Sequence, residues 1–148
     1  MPMCQRLIGF LCATAFALAV TGCGDHSPPP GAPLAKPQPT HGKITFPDGS
    51  PLHGGMITFK PKEVETGSKI RYDATSLVDA KGEYKLGMNG DGAGAPTGDY
   101  VVIIEPRDYQ ELPGSNSRRI PQKYRSAGSS TLTRTVKDGD NTFDFVLQ

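Results

Sequence analysis

Tryptophan is absent, aromatic residues supply only 7% of the chain, and hydrophobic residues reach no more than 36%. An excess of one charge is missing too: sixteen Lys and Arg against fifteen Asp and Glu give a formal net charge of +1. Nucleic-acid binding draws its affinity from clustered cations that displace counterions, so this balance argues against a nucleic-acid partner. Cysteine occurs three times, at Cys4, Cys12 and Cys23, and no thiol follows Cys23. Everything beyond that residue forms no disulfide and is held by packing alone. No window of helical length carries a 3.6-residue apolar period, which argues against a helical bundle. Gly and Pro stand in place of these: eighteen and fourteen of 148 residues, about one in five against an ordinary share of about 12%. That load favours short strands joined by turns.

The amino end has one cation, Arg6, followed by an uncharged and mostly apolar stretch from Leu7 to Val20. Such a pattern fits a secretory leader, and it is short for a membrane span, which needs about 20 apolar residues. The stretch ends in Val20-Thr21-Gly22-Cys23. This resembles the lipobox of bacterial lipoproteins, in which an aliphatic residue, a small residue and Gly or Ala precede the Cys. The resemblance implies a leader over 1–22. It also implies a diacylglycerol thioether on Cys23, which becomes the new amino terminus and carries further fatty chains such as palmitate. One chain alone gives reversible attachment at about 0.8 kcal/mol per buried methylene, and two or three give a stable tether. The implied location is the membrane of a bacterial cell envelope, on its periplasmic or surface face.

After the lipidated Cys, residues 23–39 read as a linker, with six Pro between Gly24 and Pro39. That composition cannot bury enough surface to fold, and it favours extended polyproline II at about 3.1 Å per residue. Residues 40–148 then make one domain whose charges balance, fourteen cations from Lys43 onward against fourteen acids from Asp48. A chain of this size folds alone. Its pattern is strand and turn throughout. Strands are expected at 43–46, 56–60, 70–78, 83–86, 98–105, 130–136 and 142–147, with 98–105 the most apolar and central. Pro47-Asp48-Gly49-Ser50-Pro51 and Asp79-Ala80-Lys81-Gly82 form turns, and Gly87–Pro96 is loop. Seven strands with frequent turns predict an all-β, seven-stranded antiparallel sandwich of immunoglobulin-like architecture.

The stretch from Gly42 through Pro47-Asp48-Gly49-Ser50-Pro51-Leu52-His53-Gly54 to Phe59 resembles the opening hairpin of carboxypeptidase regulatory-like, transthyretin-like domains. Gly82-Glu83-Tyr84 and Pro96-Thr97-Gly98-Asp99-Tyr100-Val101-Val102 resemble later strands of that family. Ile120-Pro121-Gln122-Lys123-Tyr124 and Phe143-Asp144-Phe145-Val146-Leu147 are similar to the ending of small bacterial lipoproteins of this type. The likeness spans nearly all of residues 41–148 and implies a prealbumin-like sandwich. It extends to hydroxyisourate hydrolase, whose site uses a carboxyl-terminal Tyr-Arg-Gly-Ser tail. Here Tyr124-Arg125-Ser126 stands in mid-chain, which disfavours that activity.

Catalytic parts are scarce. No Ser sits in a Gly-x-Ser-x-Gly elbow, and the three His (His26, His41 and His53) show no zinc-binding spacing. His41 and His53 flank one hairpin and read as exposed loop residues rather than a metal pair. Asn89-Gly90-Asp91-Gly92 lacks the further carboxylates of a calcium loop. No enzyme, metal or cofactor is therefore expected. The long connection from 106 to 128 carries Tyr109, Arg118, Arg119, Lys123, Tyr124 and Arg125. Tyr and Arg dominate binding hot spots, so these six form the candidate interaction surface for an envelope protein or glycan. The competing structural reading has Ile120 and Tyr124 pinning the connection to the domain while the charges stay solvated. A role as a subunit of an envelope assembly, like the small transthyretin-fold lipoprotein of type VI secretion, is the alternative function.

Overall fold

A computed structural model describes residues 34–62, 72–107 and 112–148; the leader, Cys23 and the first part of the Pro-rich linker lie outside them. The described chain is all-β, with ten short strands and three 3-10 turns but no α-helix. In chain order the strands are β1 (Pro37–Gln38), β2 (Thr40–Thr45), β3 (Met56–Pro61), β4 (Ala74–Leu77) and β5 (Glu83–Lys85). They continue as β6 (Ala95–Pro96), β7 (Gly98–Glu105), β8 (Thr133–Val136), β9 (Asn141–Thr142) and β10 (Phe145–Val146). One sheet has the order β4-β3-β7-β8, and a second joins β10, β2 and β5, with β9 also on β2. The small pair β1–β6 joins the end of the Pro-rich segment to the domain.

The alternation of β7 explains its place. Tyr100, Val102 and Ile104 are buried while Asp99, Val101 and Ile103 face outward, the period of two that a half-buried strand requires. It lies between β3, paired over six positions from Met56↔Glu105 to Pro61↔Tyr100, and β8. Ile57 and Phe59 of β3 bury the same face. Facing them are Ile44, Tyr84 and Phe145 from the second sheet. Phe59 is the meeting point, with ring centroids 5.8 Å from Tyr100, 5.9 Å from Phe143 and 6.3 Å from Phe145. Arg134, on the inner side of β8, lays its guanidinium 4.5 Å from the centre of the Phe145 ring. Its aliphatic stem and cation cover the open side of the cluster.

Two features depart from the expected pattern. The arrangement is not antiparallel throughout, because β9 and β10 run parallel to β2 (Thr40↔Asn141, Phe145↔Ile44). The cause is topological. β8 runs back toward the end of the domain where β2 begins, the 137–140 turn sits there, and the last segment must leave that end in the same direction as β2. Alternation of apolar residues marks a strand but not the direction of its partner. Pairing also reaches into the segment read as loop, through Ala95–Pro96.

The join between the last segment and β2 depends on one missing side chain. Gly42 pairs with Tyr84 across β2 and β5, and the Tyr84 hydroxyl donates to the Phe143 carbonyl at 2.6 Å. A Cβ on Gly42 would stand 1.9 Å from that carbonyl oxygen and 3.0 Å from the hydroxyl. The glycine is required for space, not for a left-handed backbone. Burial, reinforced by the charge of Asp144, raises the Tyr84 pKa well above its ordinary value, so the phenol stays protonated and remains a donor. Gly42→Ala is expected to destabilise the domain by about 2–3 kcal/mol through overpacking, and Tyr84→Phe by about 1–2 kcal/mol through a lost hydrogen bond. Urea midpoints measure both, and an unchanged midpoint for Gly42→Ala contradicts the packing described.

Candidate functional site

The register gives the domain two ends. β2, β9 and β10 start at the end where β1 enters, while the 46–51 and 79–82 turns and the described part of the connection, 112–128, lie at the other. The connection is tied to the first hairpin by hydrogen bonds to backbone. The Asn116 side chain accepts from the His53 amide at 2.8 Å and donates to the Pro51 carbonyl at 3.0 Å. The Asn116 amide and the Ser115 hydroxyl both donate to the His53 carbonyl. Gly54 and Gly55 take positive φ angles of 79° and 100° between these contacts, and a Cβ on Gly54 would collide with Ser115 Oγ at 2.6 Å. Two 3-10 turns follow, Ser117–Arg119 and Gln122–Tyr124, with Ile120 and Tyr124 buried between them.

The six candidate side chains do not share one role here. Tyr109 lies outside the described residues. Tyr124 is 4% exposed, and its hydroxyl donates to the carbonyl oxygen of Gln148 at 3.2 Å, so its ring is part of the core. Arg125 folds back onto its own turns, Nε donating to the Ile120 carbonyl at 3.0 Å and one terminal nitrogen to the Arg118 carbonyl at 3.1 Å. Arg119 reaches the first hairpin, donating to Asp48 at 2.7 Å and to the Ser50 hydroxyl at 3.2 Å. Its guanidinium also stacks 4.1 Å from the centre of the Phe46 ring. Arg118 and Lys123 are exposed on the turns, Lys123 with its ammonium 5.0 Å from the Tyr124 ring centre. The connection thus has a fixed underside and an outer surface where Arg118 and Lys123 project.

His41 and His53 are not brought together. His41 stands on the outer face of β2, with Nδ1 3.4 Å from Asp140 and Nε2 3.2 Å from the Thr142 hydroxyl; His53 lies at the far end with Nδ1 3.0 Å from the Gly114 carbonyl. Among the described residues no group of three or more His, Cys, Asp and Glu side chains is placed to hold a metal ion. Asp91, in the glycine-rich loop, accepts from the Ala93 amide at 2.9 Å, a turn-forming contact. Sequence reasoning did not single out Asp48, Asn116 and Ser115 as fasteners of the connection. Asp48 carried a turn signal, but its partner lies 71 positions away, and nothing local marks Asn116. No protein-family model, curated protein or solved structure matches this chain.

Hydrogen bonds from Ser50, together with the guanidinium of Arg119, hold the Asp48 carboxyl well below the usual carboxylate range. A folded-state pKa below the unfolded one contributes stability above the unfolded value near 3.9 and loses it as pH falls toward the folded value. Because both side chains are half-exposed, solvent screens the effect. Asp48→Asn is expected to be less stable than the parent at neutral pH, with the gap closing below about pH 4. Thermal melting of both proteins across that range checks it, and a gap that stays constant in acid contradicts it.

Proposed function

We propose that this chain is a non-enzymatic, lipid-anchored protein of the bacterial cell envelope. Its domain is a seven-stranded, transthyretin-like sandwich of the carboxypeptidase regulatory-like kind, and it serves as a protein- or glycan-binding or structural module. The observation that carries the reading is the Val20-Thr21-Gly22-Cys23 sequence at the end of an apolar leader, directly before a Pro-rich spacer. Two structural features support presentation of the domain at a distance from a membrane. Pro37–Gln38 pairs with Ala95–Pro96, and the Gln38 side chain accepts from the Gly139 amide at 2.9 Å. The spacer is thereby joined to one end of the domain while the 112–128 connection occupies the opposite end. A tether of this kind turns the connection, with Arg118 and Lys123 outward, away from the bilayer. The sandwich reading is supported by two four-stranded sheets sharing one core.

Cys23→Ser is expected to move the protein from the membrane fraction to the soluble fraction or to leave the precursor uncleaved. Mass spectrometry of the parent should find a mature chain starting at Cys23 with diacylglycerol on sulfur. An intact leader with a free thiol, or unchanged membrane retention of Cys23→Ser, contradicts the anchor.

A further inference from the structure

The ladder between β4 and β5 is interrupted in its middle. On one side Thr75 and Gly87 exchange both backbone bonds, at 2.8 and 3.0 Å, and on the other the Asp79 amide donates to the Glu83 carbonyl at 3.0 Å. Between them the Lys85 amide donates to the Ser76 hydroxyl at 3.1 Å, and that hydroxyl donates to the Leu77 carbonyl at 2.9 Å. A side chain stands where a backbone partner would, and the strands part. Leu77 is turned outward at this gap, 51% exposed, and it borders three surface depressions. The largest, about 700 Å³, lies on the outer face of β3 and β4, with the cross-strand neighbours Met56 and Leu77 beside Lys85, Asp91 and Arg107. A narrower cleft continues from Leu77 and Arg107 to Leu112, itself 45% exposed.

We propose that this groove docks an extended segment of a partner protein, which seats one apolar side chain against Leu77 and Met56. A neighbouring carboxylate of the same segment lies between Arg107 and Lys85. Charge complementarity selects the carboxylate: two cations and one acid, Asp91, border the groove. Glu105 pairs with Met56 on the side away from Leu77, so it repels an acid there and fixes the carboxylate to the β4 side. An extended segment fits because the wide depression and the narrower cleft continue one another past Leu77 and Arg107. This assignment rests on the reading of the domain as a binding module and gives that module its partner chemistry.

The test selects random short peptides displayed on phage against the full chain purified in non-ionic detergent. Selected peptides should pair an apolar residue with a nearby Asp or Glu. Their binding should weaken about tenfold or more in Leu77→Ser and in Arg107→Ala and hold in Val146→Ser, which removes a similarly exposed side chain elsewhere. Melting curves establish that the variants fold, and Arg107→Ala decides the matter if Leu77→Ser does not. Failure to select any peptide, or binding indifferent to both substitutions, overturns the proposal. So does self-association of the parent that Leu77→Ser abolishes, which would make a second copy the occupant. Because selection takes place in detergent solution, its failure leaves the Cys23 anchor standing, and loss of the anchor leaves the selection readable.

Discussion

The tyrosine hydroxyl that crosses the bare backbone of Gly42 to reach Phe143 joins the final segment of the chain to its first long strand. Much else follows from that contact. It sets the position of Phe143 and hence of Phe145, two of the three rings gathered around Phe59. Phe59 is fully buried, and burial of such a side chain contributes about 1.5–3 kcal/mol. The two sheets meet at this cluster. With no thiol after Cys23, the domain has no covalent cross-link of its own to replace it.

The same closure arranges the ends of the molecule. Parallel pairing of β9 and β10 with β2 puts the 137–140 turn beside the entry strand, where Gln38 accepts from Gly139. It also carries the chain onward to the opposite end, where Gln148 receives the Tyr124 hydroxyl. The connection there is shaped chiefly by the first hairpin, through Asn116 and Arg119. Tyr124 and Arg125 shape the connection from within, while Arg118 and Lys123 project from it, so a patch that looks uniform in sequence divides into supports and exposed cations.

Much of the all-β class could be read from residue order. The alternation around Ile57, Tyr100 and Phe145 reported which side chains face inward, and Asp48-Gly49 and Lys81-Gly82 marked the turns. Strand direction was not legible, because a run such as Phe143–Leu147 alternates identically in parallel and antiparallel neighbours. Contacts across long separations were also hidden. Nothing near Asn116 announces that it binds the backbone at Pro51 and His53, and Tyr124 carries the same letters whether its ring faces solvent or Ile120. Leu77 faces outward by the alternation of β4, in which Ala74 and Ser76 are buried, whereas the Ser76 hydroxyl that takes the Lys85 amide beside it is a contact that no local pattern encodes.

The central claim is that the last segment belongs to the same cooperative unit as the central sheet. Native-state hydrogen exchange of the Asn141, Phe143 and Leu147 amides, which donate to Pro39, His41 and Thr45, tests it directly against the amides of β3 and β7. If closure is as described, both sets open only with global unfolding, and their exchange free energies agree within about 1 kcal/mol. Exchange of the three amides through a separate, much cheaper opening, with β3 and β7 still protected, would contradict it.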